Sequence, residues 1–174
     1  MKVVLGVTGS IAAYKACELV RLLVKRGDEV HVVMTEHARA FVTPLTFQTL
    51  SRNPVECNLF EDPQDWKPEH ISLAAAADLV VVAPATANIL AKMAHGIADD
   101  LLSSTLLATK APVLVAPAMN TGMWENPATQ ANIAALTARG VRVVQPGTGD
   151  LACGTEGAGR MAEPADILSA CTTP

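Results

Sequence analysis

No stretch of this 174-residue chain stays apolar for long. Pro84, Lys92, Lys110, Pro112 and Pro117 interrupt the apolar segments, which fall well short of the ~18 continuous apolar residues of a spanning helix. No basic run occurs either, and the formal net charge is −4. That speaks against a nucleic-acid surface and against a polybasic membrane anchor. The four cysteines, Cys17, Cys57, Cys153 and Cys171, form no CxxC pair and no Cys/His metal spacing. A zinc site is therefore not expected, and free thiols in a cytoplasmic protein are the natural reading. Repeats, linkers and low-complexity segments are missing as well, so one domain over residues 1–174 is expected. The opening "KVVLGVTGSIAAY" has too short an apolar core for a secretory signal, and it runs directly into an amphipathic segment with Glu18, Arg21 and Lys25.

What is present is a globular composition, with 50% hydrophobic and 17% charged residues. "KVVLGV" (Lys2–Val7) and "EVHVVMT" (Glu29–Thr35) read as strands. "DLVVVAPA" (Asp78–Ala85) and "APVLVAPA" (Ala111–Ala118) are near-continuous apolar runs, which suit strands buried on both faces of a parallel sheet. "VRVVQP" (Val141–Pro146) is a fifth candidate. Helical patterns cover Ile11–Arg26, Ala87–His95, Asp100–Ala108, Pro127–Arg139 and Pro164–Cys171, with Gly27 and Gly140 as stops. Strands alternating with helices predict a doubly wound α/β fold: a flavodoxin-like/Rossmann-like parallel sheet with helices on both faces.

In such sheets ligands bind beyond the carboxyl ends of the strands, near the reversal of strand order. "TGS", "TEH", "PATAN" and "PAMN" all fall on that rim. Gly9 and Ser10 stand at the turn into the first helix, where unpaired amides and the helix dipole favour an anion. The segment is not GxGxxG, so the dinucleotide fingerprint is absent; a plain tight turn with a serine cap fits the same residues. Thr86 and Asn88 fit either N-capping or contact with a ligand. His37 reads as a surface residue rather than a catalyst, and His31 and His95 receive no role. A mononucleotide suits these turns better than a dinucleotide, with flavin mononucleotide (FMN) the leading candidate. "GDLACGTEGAG", around Cys153, is glycine-rich and too long for a turn, which marks it as a functional or disordered loop.

"PAMNTGMW" (Pro117–Trp124) resembles the signature of the flavin-containing cysteine decarboxylases. "GSIA", "HISLA", "APATAN" and "LACGTEGAGRMAEP" resemble further motifs of that family, in the same order across nearly the whole chain. The likeness is nearest to the decarboxylase domain of the bacterial phosphopantothenoylcysteine decarboxylases, enzymes of coenzyme A synthesis. It implies bound FMN and a substrate ending in a cysteine carboxylate. It aligns Gly9, Ser10, Ile11, Thr35, Glu36, His37, Thr86, Ala87, Asn88, Ile89 and Ala118 with flavin contacts. It aligns His70, Asn120 and Cys153 with active-site roles, and places Met119 and Asn120 at the substrate.

These residue types suit that chemistry. Oxidising the C–S carbon of a cysteine to a thiocarbonyl gives an electron sink β to the carboxylate, and flavin is the group able to take the electrons. Carbon dioxide loss then leaves an enethiolate, and return of the electrons gives the saturated thiol. His70 suits a base, since imidazole is basic and largely neutral near pH 7. Asn120 donates to the carboxylate without adding charge, whereas a lysine would stabilise the group that must leave. Cys153 suits a proton donor, because a free thiol, with a pKa of about 8.5, stays protonated at neutral pH. Met119, Met123 and Trp124 offer apolar walls, core packing being the plainer alternative for the last two. Cys17, Cys57 and Cys171 read as inert thiols. Where many relatives read "ACGD", this chain has Thr155.

The resemblance also implies a homotrimer or homododecamer, and a fused or partner phosphopantothenate-cysteine ligase, with the present chain as the N-terminal part of a bifunctional protein. Competing readings are a peptidyl-cysteine decarboxylase of lantibiotic-type maturation, a non-catalytic FMN-binding regulator and a flavin prenyltransferase. The loop cysteine argues against the first, the full set of three active residues against the second, and "PAMNTGMW" with "ACG" against the third.

Overall fold

A computed structural model describes residues 1–59, 68–150 and 156–172 of the chain. The parallel strands are β1 (Lys2–Val7), β2 (Glu29–Met34), β3 (Val55–Glu56), β4 (Leu79–Ala85), β5 (Val113–Pro117) and β6 (Arg142–Val143). They form one sheet in the order β3-β2-β1-β4-β5-β6. The helices are α1 (Ala13–Arg26), α2 (Pro44–Ser51), α3 (Glu69–Ala76), α4 (Ala87–His95), α5 (Leu101–Ala108), α6 (Thr121–Glu125), α7 (Pro127–Ala138) and α8 (Pro164–Ala170). A 3-10 turn covers Glu36–Ala40. The doubly wound fold expected from the alternation is therefore present, and its six-strand order is that of the Rossmann sheet.

Two cores explain why the strands are apolar without alternation. On one face Val3, Leu5 and Val7 of β1 pack with Ala16, Leu19, Val20 and Leu23 of α1, Phe47 of α2 and Ile167 of α8. On the other, Val4, Val80, Val82 and Val115 pack with Leu73 of α3, Ile89 and Leu90 of α4, Leu101 and Leu102 of α5 and Leu136 of α7. All seven residues of β4 are buried, as a central parallel strand covered by helices on both sides requires. Each such Val or Leu contributes about 1.5–3 kcal/mol of burial.

Strand order reverses between β1 and β4. Helix α1 leaves β1 toward one core and α4 leaves β4 toward the other. The two strands pair only from Val3↔Leu79 to Gly6↔Val82. Beyond that point their carboxyl ends diverge into the turns at Thr8 and Thr86, which form the crevice of such a fold.

One segment differs from expectation. The glycine-rich run is not a loop throughout: β7 (Gly147–Asp150) and β8 (Glu156–Arg160) pair as an antiparallel hairpin. Its glycines conceal it, because strand character is read from β-branched and aromatic residues. Gly159 has φ 121°, and a Cβ there would run into the carbonyl oxygen of Met119. Glycine is thus what lets β8 lie against the end of β5. Cys153 lies outside the described residues.

Candidate active site

Four turns meet on the carboxyl rim, and each contact between them can be named. The first follows β1. Thr8 is 2% exposed, Ser10 N–H donates to the Thr8 carbonyl at 2.9 Å, and Ser10 Oγ accepts from Ala12 N–H at 3.2 Å. Ala12 caps α1 without any side-chain bond, and the first turn of α1 carries no acid. The amides of Gly9 and Ile11 have no partner among the described residues. An open helix start with unpaired amides and no competing carboxylate is suited to an anion.

The second turn, Thr35–His37, lies against the first. Thr35 N–H donates to Val7 O at 3.0 Å. A Cβ on Gly9 would sit 2.5 Å from Cβ of His37 and 3.1 Å from its carbonyl carbon, so glycine is required here by the approach of the neighbouring turn, whatever binds. Glu36 and His37 are exposed. Glu36 lines a cavity of about 210 Å³ with Thr35, Cys57, Asn58, Asp99 and Asp100. Of its three carboxylates, Asp99 and Asp100 are paired with Lys92, and the acidic lining suits hydroxyl or N–H donors.

The third turn is tied to the first by Thr8. Its Oγ1 donates to Pro84 O at 2.6 Å and accepts from Thr86 N–H at 3.1 Å. Thr86 caps α4 by accepting from Ile89 N–H at 3.4 Å, so the capping alternative holds for that hydroxyl. Asn88 is exposed, while Ile89 is 2% exposed and belongs to the core. Ala87 is half-buried. At Ile89 only backbone can face a ligand, and the same holds for Ala118, 4% exposed.

The fourth turn follows β5. Ala118 N–H donates to Ala85 O at 3.0 Å, which fixes it beside the third turn. Met119 N–H donates to Gly159 O at 3.0 Å, which brings the hairpin onto it. Asn120 caps α6, its Oδ1 accepting from Gly122 N–H at 2.8 Å. That bond identifies the acceptor end of the amide and makes Nδ2 the donor. Thr121 is packed so closely under β8 that its Oγ1 fills the space a Gly157 side chain would need. Met123 is 50% exposed and belongs to neither core, so core packing does not account for it; Trp124 is half-buried.

His70 stands in the first turn of α3. A crossover helix runs back against its strands, so its start lies on the same rim. The ring is half-buried, and its Nδ1 is buried with no hydrogen-bond partner among the described residues. No hydrogen bond among those residues joins it to Asn120. The two share the rim but belong to different helices, α3 beyond β3 and α6 beyond β5.

Two of the remaining thiols, Cys17 and Cys171, are held protonated by burial. Burial pushes Cys171 up to about 11, against the pull of Arg26 and Arg142. Burial also raises Cys17, and neither thiol is a nucleophile at neutral pH. Sequence reasoning missed Thr8, the Met119–Gly159 anchor, and the ion pairs of Lys92 with Asp99 and Asp100 at 2.6 and 2.7 Å. Only Thr8 left a trace, as a polar residue ending a run of valines.

Around these turns Ile11, Tyr14 and Phe41 are 55%, 60% and 48% exposed. Open amides beside uncovered apolar side chains fit a ligand with a phosphate at one end and a flat ring at the other. The family model described as Flavoprotein matches residues 1–173. The chain is 49% identical over 170 residues to the coenzyme A biosynthesis bifunctional protein CoaBC of Vibrio vulnificus (strain YJ016), covering 98% of this chain and 42% of that protein. It thus spans about two fifths of the length of the curated relatives it matches. Its structure is similar to a cysteine-to-serine variant of PPC decarboxylase complexed with pantothenoylaminoethenethiol, with TM-score 0.86 and 34% identity over 97% of this chain and 94% of that one. It is also similar to the FMN-dependent cysteine decarboxylase SpaF, with TM-score 0.83 and 33% identity over 99% and 98% of the two chains.

Proposed function

This chain belongs to the flavoprotein family, and from that premise we propose that it is an FMN-dependent decarboxylase converting 4'-phosphopantothenoylcysteine to 4'-phosphopantetheine in coenzyme A biosynthesis. The observation that carries the reading is the His70 ring on the ligand rim, with a buried Nδ1 that has no partner among the described residues.

The amides of Gly9 and Ile11 would hold the FMN phosphate. Thr35, Glu36 and His37 on one side, and Thr86, Ala87, Asn88, the Ile89 backbone and the Ala118 backbone on the other, would line its remaining length. Bound flavin would supply reversible two-electron oxidation of the substrate's C–S carbon. The imidazole of His70 takes the proton released from the substrate thiol. Nδ2 of Asn120 donates to the substrate carboxylate and orients it, and its lack of charge leaves the carboxylate ready to depart as carbon dioxide. Met119, half-buried beside Asn120, keeps water from the reacting carbon. The thiol of Cys153 gives a proton to the enethiolate that remains. Strand β8 of the hairpin is anchored at Met119 by the Gly159 carbonyl.

The same premise extends to assembly. Exposed Ile11, Tyr14 and Phe41 beside the rim favour a homotrimer or homododecamer in which a second copy covers them. The relatives named as bifunctional CoaBC favour a fused or partner phosphopantothenate-cysteine ligase as the source of the substrate. No helix among the described residues is long and apolar enough to cross a membrane.

SpaF is named only as an FMN-dependent cysteine decarboxylase, which leaves one second reading, a substrate that is the C-terminal cysteine of a peptide. One experiment tests both. The purified chain is expected to show oxidised-flavin bands near roughly 370 and 450 nm and to release carbon dioxide from phosphopantothenoylcysteine with a saturated thiol as product. Bound flavin with no release from that substrate, but release from a peptide ending in cysteine, would establish the second reading. Flavin bands that stay absent after reconstitution would remove the cofactor and the reaction together.

A further inference from the structure

Among the described residues, Thr8 is the one whose side chain crosses the switch-point crevice between β1 and β4 with both a donated and an accepted hydrogen bond, to Pro84 O at 2.6 Å and from Thr86 N–H at 3.1 Å. The backbone ladder between these strands ends at Gly6↔Val82. Two residues further on, the Thr8 hydroxyl continues it with side-chain bonds. Val7 and Thr8 also carry the turn that presents Gly9 and Ile11, and Ser10 N–H is bonded to the Thr8 carbonyl at 2.9 Å. At the other end, Thr86 is the cap of α4 and its own N–H is the group that Thr8 holds. The residue is 2% exposed, so no water replaces the hydroxyl without rearrangement. No other hydrogen bond links these two turns among the described residues.

We propose that Thr8 is a positioning residue that sets the distance between the phosphate-holding turn and the ring-edge turn. The proposal rests on the flavin reading above and adds to it a residue that touches neither phosphate nor ring. A ligand that spans two turns binds best when both are already held at its own length, because the ordering cost is then met before binding. Removing the hydroxyl takes from the buried Pro84 carbonyl and the half-buried Thr86 amide the partner that Thr8 supplies. The two turns are then relieved of that strain only by moving apart or by admitting water, and either change alters their spacing. A ligand that engages the ring-edge turn alone does not depend on that spacing.

The test compares FMN with riboflavin, which has the same ring and lacks the phosphate. The chain of residues 1–174 is stripped of flavin, and each dissociation constant is read from flavin fluorescence for the wild type, Thr8→Val and Thr8→Ser. In Thr8→Val the FMN constant is expected to rise by about tenfold or more, while that for riboflavin changes by less than about threefold. Thr8→Ser keeps the hydroxyl and is expected to restore FMN binding to within about threefold of wild type. Equal weakening of both ligands in Thr8→Val, an unchanged FMN constant, or failure of serine to rescue would overturn the role. If Thr8→Val does not fold, Thr8→Ala is read by the same pair of constants and the same outcomes. Wild-type chain that takes up neither flavin refutes the cofactor reading itself; uptake by the wild type with equal losses in the variant refutes the role of Thr8 alone.

Discussion

Asn120→Asp separates the structural role of this position from its chemical one. The cap on α6 depends on an oxygen accepting from Gly122 N–H at 2.8 Å, and aspartate supplies that oxygen equally well. A negative charge at a helix start is also favourable by about 0.3–1 kcal/mol. The fold should therefore keep its stability to within about 0.5 kcal/mol, and the flavin should stay bound. What changes is the field at the substrate. Two carboxylates about 4 Å apart repel by about 1 kcal/mol in bulk water and by about 4 kcal/mol at the effective dielectric near a protein surface. Asn120 is exposed on the subunit, so the penalty falls between these limits. It corresponds to roughly fivefold to a thousandfold weaker substrate binding, read as a rise in KM and a loss of kcat/KM. The assay is carbon dioxide release from phosphopantothenoylcysteine, with melting temperature and flavin content measured on the same preparation. A variant with bound flavin, unchanged melting and a kcat/KM within about twofold of wild type would refute the role assigned to the neutral amide.

Three further changes are informative. Asp100 caps α5 through Ser103 N–H at 2.7 Å and also faces Lys92 Nζ at 2.7 Å. Asp100→Ala is expected to cost about 1–2 kcal/mol in a urea melt at pH 7, and Asp100→Asn, which keeps the cap, about half of that. Burial opposes the Asp100 charge, but Lys92 and the Ser103 amide hold its carboxyl below the usual range. Stability from the charge is thus present above the unfolded-state value of about 4 and lost as pH falls through the lower folded value. The gap between wild type and Asp100→Asn should close below about pH 4; a gap independent of pH would contradict the pairing. Gly159→Ala places a Cβ against the Met119 carbonyl at φ 121°, at a strain of about 1–3 kcal/mol. It should lower kcat/KM by about tenfold or more while leaving flavin content unchanged, and wild-type kinetics would show that the hairpin does not serve the site. Cys153→Ser should still release carbon dioxide and accumulate the unsaturated thiol, visible by mass spectrometry; full conversion to the saturated product would remove the proton-donor role.

The parts of the fold that were legible share a physical cause. β4 and β5 are buried on both faces, so burial leaves little room for polar residues and the runs stand out. The predicted span Ala87–His95 coincides with α4 because both ends carry chemical signals, the Thr86 cap and the left-handed Gly96. β3 has two residues at an edge and leaves no periodicity to read. The hairpin was hidden because the glycines that allow its contact with Met119 are the residues that strand propensity disfavours. The site divides in the same way. Gly9, Ser10, Thr35, Thr86 and Asn120 were legible because each stands in a turn just after an apolar strand. The contacts that gather them were not. Thr8 lies 76 residues from Pro84 and 78 from Thr86, and only the reversal of strand order between β1 and β4 brings them together. A local pattern cannot encode that adjacency, since it arises from packing α1 and α4 into opposite cores. The chemistry proposed for this rim is therefore read from short motifs, while its dimensions are written in the order of the strands. A variant that alters the dimensions should change which ligands fit before it changes what the residues can do to them.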